Sequence, residues 1–461
     1  MDDYAVSPDG KELCYVTKPD PVPAISTNSE LYVVPISGEG EARKITINPA
    51  ADNSPVYSPD GNFIAYRAQV RPGFESDRWR LMLLDRATGV SRTLTENLDR
   101  PVQTIAWAPD SKRIFFTTED RGRAAIQWIP IQGGASRSVV SGSSHLDEPQ
   151  FTPDGRTMVY SEMSGSKPVE LYVASSGEGT PRPLTRLNED LLARYQLTPL
   201  EEFWVDSLDG AKVHSFYVKP PGFQADRKYP VLFLIHGGPQ GAWGESWSYR
   251  WNAQVFASAG FVVVMPNPRG SVGYGQKFTD EISGDWGGKV FDDILSVVDY
   301  SARQPWADPD RFAAAGGSYG GYMVNWMLGH TERFKAFVSH AGVFDLRSMA
   351  GETEELWFTI WEFGGMPWQT PEIHEKWSPS NYVRDFKTPT LVIHGEQDYR
   401  VPYGQGLQLF TALQMQKAPS KLLIFPDEGH WILKPQNSLL WYREFLNWIT
   451  EWTGRVEGSA R

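Results

Sequence analysis

The sequence predicts two regions of different class, an incomplete β-propeller of about four blades followed by a mostly parallel, doubly wound α/β sheet. Three observations carry this reading: a pattern repeated four times within residues 1–190, buried-strand runs alternating with helical segments across 201–461, and a Gly-x-Ser-x-Gly turn from Gly316 to Gly320. A polar and amphipathic connector, 191–200, separates the two regions. At 461 residues the chain is long enough for two or three domains whose cores need no covalent staple.

The four copies read YAVSPDGKELCYVT from Tyr4, PVYSPDGNFIAYRA from Pro55, TIAWAPDSKRIFFTT from Thr104 and PQFTPDGRTMVYSE from Pro149. Their prolines, Pro8, Pro59, Pro109 and Pro153, stand 51, 50 and 44 residues apart, near the period of propeller blades. Each copy runs from an apolar strand through a Pro-Asp-Gly-type turn into a second, alternating strand. Further strands are expected at Leu31 to Pro35, Leu81 to Asp85, Ile126 to Ile131 and Leu171 to Ala174, giving up to four per repeat. Asp9, Asp60, Asp110 and Asp154 are expected to serve these turns rather than a metal, because aspartate after proline accepts from the turn's own backbone. Four units is the low end for a closed propeller, so the array is expected to be open, incomplete or completed by another chain. The loop Arg71 to Trp79 mixes carboxylates, arginines and aromatics, as either a binding loop or a hairpin held by its own Asp–Arg pair.

From Glu201 the pattern changes. Two strands, Glu202 to Asp206 and Val213 to Val218, flank the turn at Leu208 to Gly210. Continuous apolar runs follow at Val231 to Ile235, Phe261 to Met265, Phe312 to Ala315, Ala336 to Ser339, Thr390 to Ile393 and Leu422 to Phe425. Such runs, separated by amphipathic helices, read as a parallel sheet covered on both faces, with reactive groups gathered where strands end.

Those strand ends carry the chemistry. Ser318 lies at the tip of a strand-to-helix turn, where a nucleophile adopts a strained backbone and side chains two before and two after would collide with their neighbours. Gly316 and Gly320 remove those collisions. His236-Gly237-Gly238-Pro239 follows the Val231 strand, so backbone N–H groups there and on Tyr319 are placed to form an oxyanion hole. Each such donor stabilises a transition state by on the order of 3 kcal/mol. His236 itself is expected to hold this loop. Asp398 follows the Thr390 strand, with Glu396 as a weaker candidate and His394 packed at the strand end; His430 follows the Leu422 strand. The order Ser, Asp, His is the one an α/β-hydrolase requires. In that reading His430 takes the proton of Ser318 and returns one to the leaving group, and Asp398 holds the imidazole. Activity should then fall at low pH as His430 is protonated.

Composition narrows the partners. Lys and Arg total 44 against 56 Asp and Glu, a net charge of −12 that disfavours a phosphate backbone. The single cysteine, Cys14, excludes an internal disulfide. The amino end lacks a basic start and an apolar run, and no later stretch approaches 18 uninterrupted apolar residues, so the chain as written is expected to be cytoplasmic and not membrane-bound. No metal-ligand spacing appears, and Gly270 to Gly275 lacks the lysine of a phosphate-binding loop.

Together, HGGP at His236, NPRGSVGYG at Asn267, GGSYGGY at Gly316, HGEQDYRVP at His394 and DEGH at Asp427 resemble the prolyl oligopeptidase superfamily of serine peptidases. The likeness is greatest to its acylaminoacyl-peptidase and dipeptidyl-peptidase V branch. The resemblance implies hydrolysis of short peptides near their amino end without metal or cofactor. It also implies Ser318, Asp398 and His430 as the triad, and Gly238 and Tyr319 as oxyanion donors. Members of the family usually carry about seven blades, whereas four repeats are seen here. An amino-terminally shortened form of a secreted parent is therefore the alternative to a cytoplasmic protein.

Substrate contacts are assigned by chemistry alone. Arg269 and Arg400 are candidates for a substrate carbonyl or carboxylate, and Glu75 or Asp77 for a free amino terminus. Trp357, Phe358, Trp361, Phe363 and Trp368 are expected to form an apolar pocket, or else a helix covering the core. Two other readings stand beside the peptidase: a carboxylesterase using the same triad, and an inactive propeller–hydrolase scaffold. A homo-oligomer is compatible with all three.

Overall fold

The computed structural model describes residues 3–176 and 180–454. Met1 and Asp2, residues 177–179 and the last seven residues of the 201–461 range lie outside the described residues. The chain forms two compact units: Met1–Arg194 with Gly244–Trp247 and Val272–Gln276, and Tyr195–Trp243 with Ser248–Ser271 and Lys277–Arg461.

The first unit is a series of four-stranded antiparallel meanders. Tyr4–Val6, Glu12–Thr17, Glu30–Pro35 and Arg43–Lys44 form the first, and Asp52–Tyr57, Phe63–Ala68, Arg80–Asp85 and Ser91–Thr93 the second. The third runs from Val102–Trp107 to Arg137–Val140 and the fourth from His145–Phe151 to Arg182–Pro183, the two meeting at one parallel bridge between Ala124 and His145. These are blades, one per sequence repeat. The repeated aspartates serve their turns. Asp9 accepts from the Ser7 hydroxyl and the Lys11 N–H, Asp60 from Ser58 and Asn62, and Asp154 from Thr152 and Arg156. Gly10, Gly61 and Gly155 close the turns at φ of 69°, 73° and 69°, and in the third copy Ser111 takes that place at 57°.

Each pair of neighbouring blades shares a core. Cys14, Leu31 and Val33 meet Tyr57, Ile64 and Tyr66 between the first and second, and burial pushes the Cys14 thiol up to about 12. Leu81 and Leu83 meet Trp107, Ile114 and Phe116 between the second and third. Phe115 points the other way, into a core with Leu146, Met158 and Tyr160 of the fourth blade. That alternation is the two-residue period of a strand buried on both faces.

The second unit is built on one eight-stranded sheet. Its strands are β1 (Glu201–Asp206), β2 (Lys212–Val218), β3 (Tyr229–Ile235), β4 (Val262–Asn267), β5 (Ala307–Gly317), β6 (Ala336–His340), β7 (Thr390–Gly395) and β8 (Ser420–Phe425). Their spatial order is β1-β2-β4-β3-β5-β6-β7-β8, with β1 and β2 antiparallel to their neighbours and the remaining pairs parallel. Along β3, Val231, Phe233 and Ile235 face one core and Leu232 and Leu234 the other. Helices α1 (Ala253–Ser258), α2 (Lys289–Ala302), α3 (Tyr319–Leu328), α4 (Gly404–Met415) and α5 (Pro435–Thr453) cover both faces. α2, α3 and α4 join the first core; α1 and α5 join the second. None of the described helices is long and apolar enough to cross a membrane.

Candidate active site

β5 runs into α3 through Ser318, whose φ of 58° and ψ of −119° put a residue with a side chain in a region that favours glycine. The turn survives because its neighbours lack side chains. A Cβ on Gly316 would lie 2.3 Å from backbone atoms of Gly320, and one on Gly320 would lie 2.1 Å from the Ile235 carbonyl oxygen of β3. The Ser318 N–H donates to the His340 carbonyl at 2.9 Å, anchoring the elbow to the end of β6.

Beyond β7, Asp398 is buried. Its Oδ1 accepts from the Arg400 and Val401 N–H groups, both at 3.0 Å, and its Oδ2 accepts from His430 Nδ1 at 2.6 Å. His394 Nε2 lies 3.3 Å from the same oxygen while reaching the Val401 carbonyl at 2.7 Å. Burial opposes the charge of Asp398, yet these hydrogen bonds from His394 and His430 hold its pKa well below the usual carboxylate range. Glu396 is exposed, with no such arrangement around it.

His340 joins the two halves and was not singled out from sequence. Trp441 Nε1 of α5 donates to His340 Nδ1 at 2.9 Å; an indole N–H only donates, so the ring proton sits on Nε2 and points to the His430 carbonyl at 3.2 Å. Burial, with the nearby charge of His430, pushes His340 down to about 3, which keeps this linking ring neutral. One residue is thus bonded through its carbonyl to Ser318 and through its ring to His430.

The HGGP segment lies beside the elbow: a Cβ on Gly237 would stand 3.0 Å from the Gly317 carbonyl oxygen. Gly238 has φ of 129°, and a Cβ there would meet the Gln240 nitrogen at 2.4 Å. Among the described residues no protein group accepts from the Gly238 or Tyr319 N–H. His236 is held between the Gly237 carbonyl and the Ser271 hydroxyl, both at 2.9 Å, and burial lowers its pKa to about 4. A second group missed from sequence supports this loop. Glu362 is buried and accepts from Gln240 at 2.8 Å, Trp286 at 2.8 Å and Ser283 at 3.1 Å. Burial raises its pKa. The available signal was a lone carboxylate within the aromatic run LWFTIWEF.

The predicted substrate contacts separate. Arg269 is closed off. It is 2% exposed, with Asp293 bound at 3.0 and 2.7 Å and further contacts to Asp209 and Ser207, so its donors tie the loop after β4 to α2 rather than facing a substrate. Trp357, Phe358 and Phe363 pack in the core with Trp286 and Tyr319, as a covering helix does, and Trp368 is exposed. Trp361 is half-buried and donates to Ser283 at 3.2 Å. Asp77 is an internal brace: it accepts from the Val70 N–H and the Arg71 side chain, each at 2.7 Å. Glu75 is exposed on the same loop of the first unit. Arg400 remains beside Asp398, half-exposed, 2.7 Å from Glu355 and over the Trp431 ring at 5.6 Å.

A family model described as the prolyl oligopeptidase family matches residues 247–456. The chain is 37% identical over 462 residues to a dipeptidyl-peptidase 5 of Porphyromonas gingivalis, covering 98% of this chain and 67% of that one. It is 37% identical to a dipeptidyl-peptidase 5 of Schizosaccharomyces pombe, covering 96% and 65%. The chain therefore spans about two thirds of the length of these curated relatives. An acylaminoacyl peptidase of Pyrococcus horikoshii superposes with a TM-score of 0.84 at 25% identity, covering 99% of this chain and 71% of that one. A puromycin hydrolase structure shares the fold, with a TM-score of 0.78 at 20% identity over 99% of this chain and 70% of that one.

Proposed function

Because the chain belongs to the prolyl oligopeptidase family, we propose that it is a serine peptidase that cleaves short peptides near their amino end through an acyl-enzyme on Ser318. The observation that carries the proposal is the 2.6 Å bond from His430 to a buried, ionised Asp398, in the same sheet end as a strained serine elbow.

The steps follow from these groups. His430 takes the Ser318 hydroxyl proton as Oγ attacks the scissile carbonyl carbon. The carbonyl oxygen becomes an oxyanion and accepts from the free N–H groups of Gly238 and Tyr319. Collapse breaks the C–N bond, and the His430 proton goes to the departing amine. Water then attacks the acyl-enzyme with His430 again as base, releasing the acid and restoring Ser318. Asp398 keeps Nδ1 protonated so that Nε2 is the basic nitrogen throughout. Arg400, next to Asp398, is the positive group proposed for a substrate carbonyl.

Two relatives named dipeptidyl-peptidase 5 at 37% identity favour release of dipeptides from a free amino end over acylated residues. Three matched chromogenic substrates test this: a dipeptide anilide with a free amine, an N-acetyl amino-acid anilide and a short-chain ester, each with Ser318→Ala alongside. The expected result is Ser318-dependent turnover led by the free-amine dipeptide. Ester turnover alone would overturn the peptidase reading, and preference for the acetylated substrate would replace dipeptide release by acylaminoacyl release.

A further inference from the structure

Beside His430 lies a positive group that the mechanism above does not use. Arg250 stacks its guanidinium over the Trp431 ring at 4.7 Å, and that ring meets the His430 imidazole edge-on with centroids 4.7 Å apart. Only one ring separates the guanidinium from the base. Arg400 approaches the same indole at 5.6 Å, but its charge is met by Glu355 at 2.7 Å. Arg250 has no such partner: among the described residues no carboxylate pairs with it, and no group accepts from its side chain.

The segment carrying Arg250 is braced. Arg250 N–H donates to the Ser248 hydroxyl at 3.1 Å, Asn252 Nδ2 donates to the Ser248 carbonyl at 2.8 Å, and the Asn252 N–H donates to the Tyr442 hydroxyl at 2.9 Å. Trp251 is held at φ of 52°, with its ring packed edge-on against His340 and so close to the elbow that a Cβ on Gly317 would lie 3.2 Å from it. A half-buried guanidinium without a counter-charge is costly to desolvate, and a rigid segment that holds one beside a reactive base is suited to a ligand anion.

We infer that Arg250, stacked on Trp431, forms a leaving-group site that binds the free carboxylate of the amino acid or short peptide expelled as the acyl-enzyme forms. Such a site presupposes the acyl transfer proposed for Ser318. His430 must protonate the departing nitrogen, so the leaving group occupies the His430 side of the site, and a terminal carboxylate one or two residues beyond the scissile bond falls on the Arg250 flank. Arginine's planar fork matches a carboxylate with two parallel hydrogen bonds.

The test compares kcat/KM for tripeptides and tetrapeptides that end in a free carboxylate with those of the same peptides ending in an amide. The wild-type protein should favour the acids about tenfold. Arg250→Gln should bring the ratio close to one, with Arg250→Lys between. No preference in the wild type, or a preference that persists in a folded Arg250→Gln protein, would overturn the inference. Calorimetric binding of the intact tripeptide acid and of its amide to Ser318→Ala, with and without Arg250→Gln, decides the matter without turnover: tighter binding of the acid by Ser318→Ala alone is expected, and equal binding, or a difference that survives Arg250→Gln, would overturn it. Loss of the peptidase reading would appear separately, as absence of Ser318-dependent cleavage of the dipeptide anilide, which has no carboxylate beyond the scissile bond.

Discussion

At the scale of single residues, the elbow stores strain that the sequence motif announces and the backbone angles measure. Ser318 at φ of 58° carries a cost of roughly 1–3 kcal/mol relative to an unstrained residue. Both Ser318→Ala and Ser318→Gly should abolish turnover, but only glycine relaxes the backbone. Thermal unfolding should therefore find Ser318→Gly more stable than Ser318→Ala by about 1 kcal/mol; equal stability would mean that the elbow is unstrained. The three residues proposed for acyl transfer could be picked out because each lies in the turn that follows an apolar strand and their order is diagnostic. His340 was not, although it too ends a strand. Its importance lies in the proton on Nε2, which only the Trp441 indole reveals. Arg269 was misleading for a related reason. A lone arginine in a loop reads as a free charge until Asp293, 24 residues on, is seen to face it.

At the scale of elements, the sheet was read nearly strand for strand, with β5 the instructive exception. It begins at Ala307, five residues before the apolar run, because Asp308-Pro309-Asp310-Arg311 breaks the hydrophobic pattern while the backbone continues past it. The register shift against β3 between Tyr229 and Val231 absorbs the irregularity. The packing of β5, α3 and β3 is tightest at Gly320, where an added Cβ would sit 2.1 Å from a backbone carbonyl oxygen. Gly320→Ala should push α3 away from β3, misplacing the Tyr319 N–H. A loss of more than a hundredfold in kcat, with KM little changed, is the expected result, since one oxyanion donor is worth about 3 kcal/mol. Retention of most of the kcat would show that the helix start does not contribute a donor. The aromatic helix Leu356–Phe363 was open to two readings, and the burial of Trp357, Phe358 and Phe363 favours the covering role. Sequence periodicity alone does not distinguish a helix that lines a pocket from one that seals a core.

At the scale of the molecule, the buried histidines tie the stability of the second unit to pH. His236 and His340 have folded pKa values lowered to about 4 and about 3, below the ordinary 6.5, so the unfolded chain binds protons that the folded one refuses. The neutral rings support the fold fully above pH 6.5, and stability falls as pH drops from there toward 4. For His236 the change amounts to about 3 kcal/mol. Asp398 acts in a lower window: its depressed pKa contributes stability above the ordinary 3.8 that is lost only on further acidification. Hydrogen exchange of the β3 and β5 amides between pH 7 and 4.5, corrected for intrinsic rates, should report this fall, and His236→Gln should flatten it. An unchanged slope in the variant would remove His236 as the cause. The blade repeat was legible because its turns need the same residues each time. The pairing of Phe116 with one neighbouring blade and Phe115 with the other followed only once the strand faces were known. The lone thiol gives that architecture a clock. Cys14 is fully buried between the first two blades, and the chain has no other sulfhydryl to compete for reagent. A thiol-specific dye, added at a concentration where labelling outpaces reclosing, would thus be consumed at the rate at which that seam opens, so that one colour change times the breathing of a single seam.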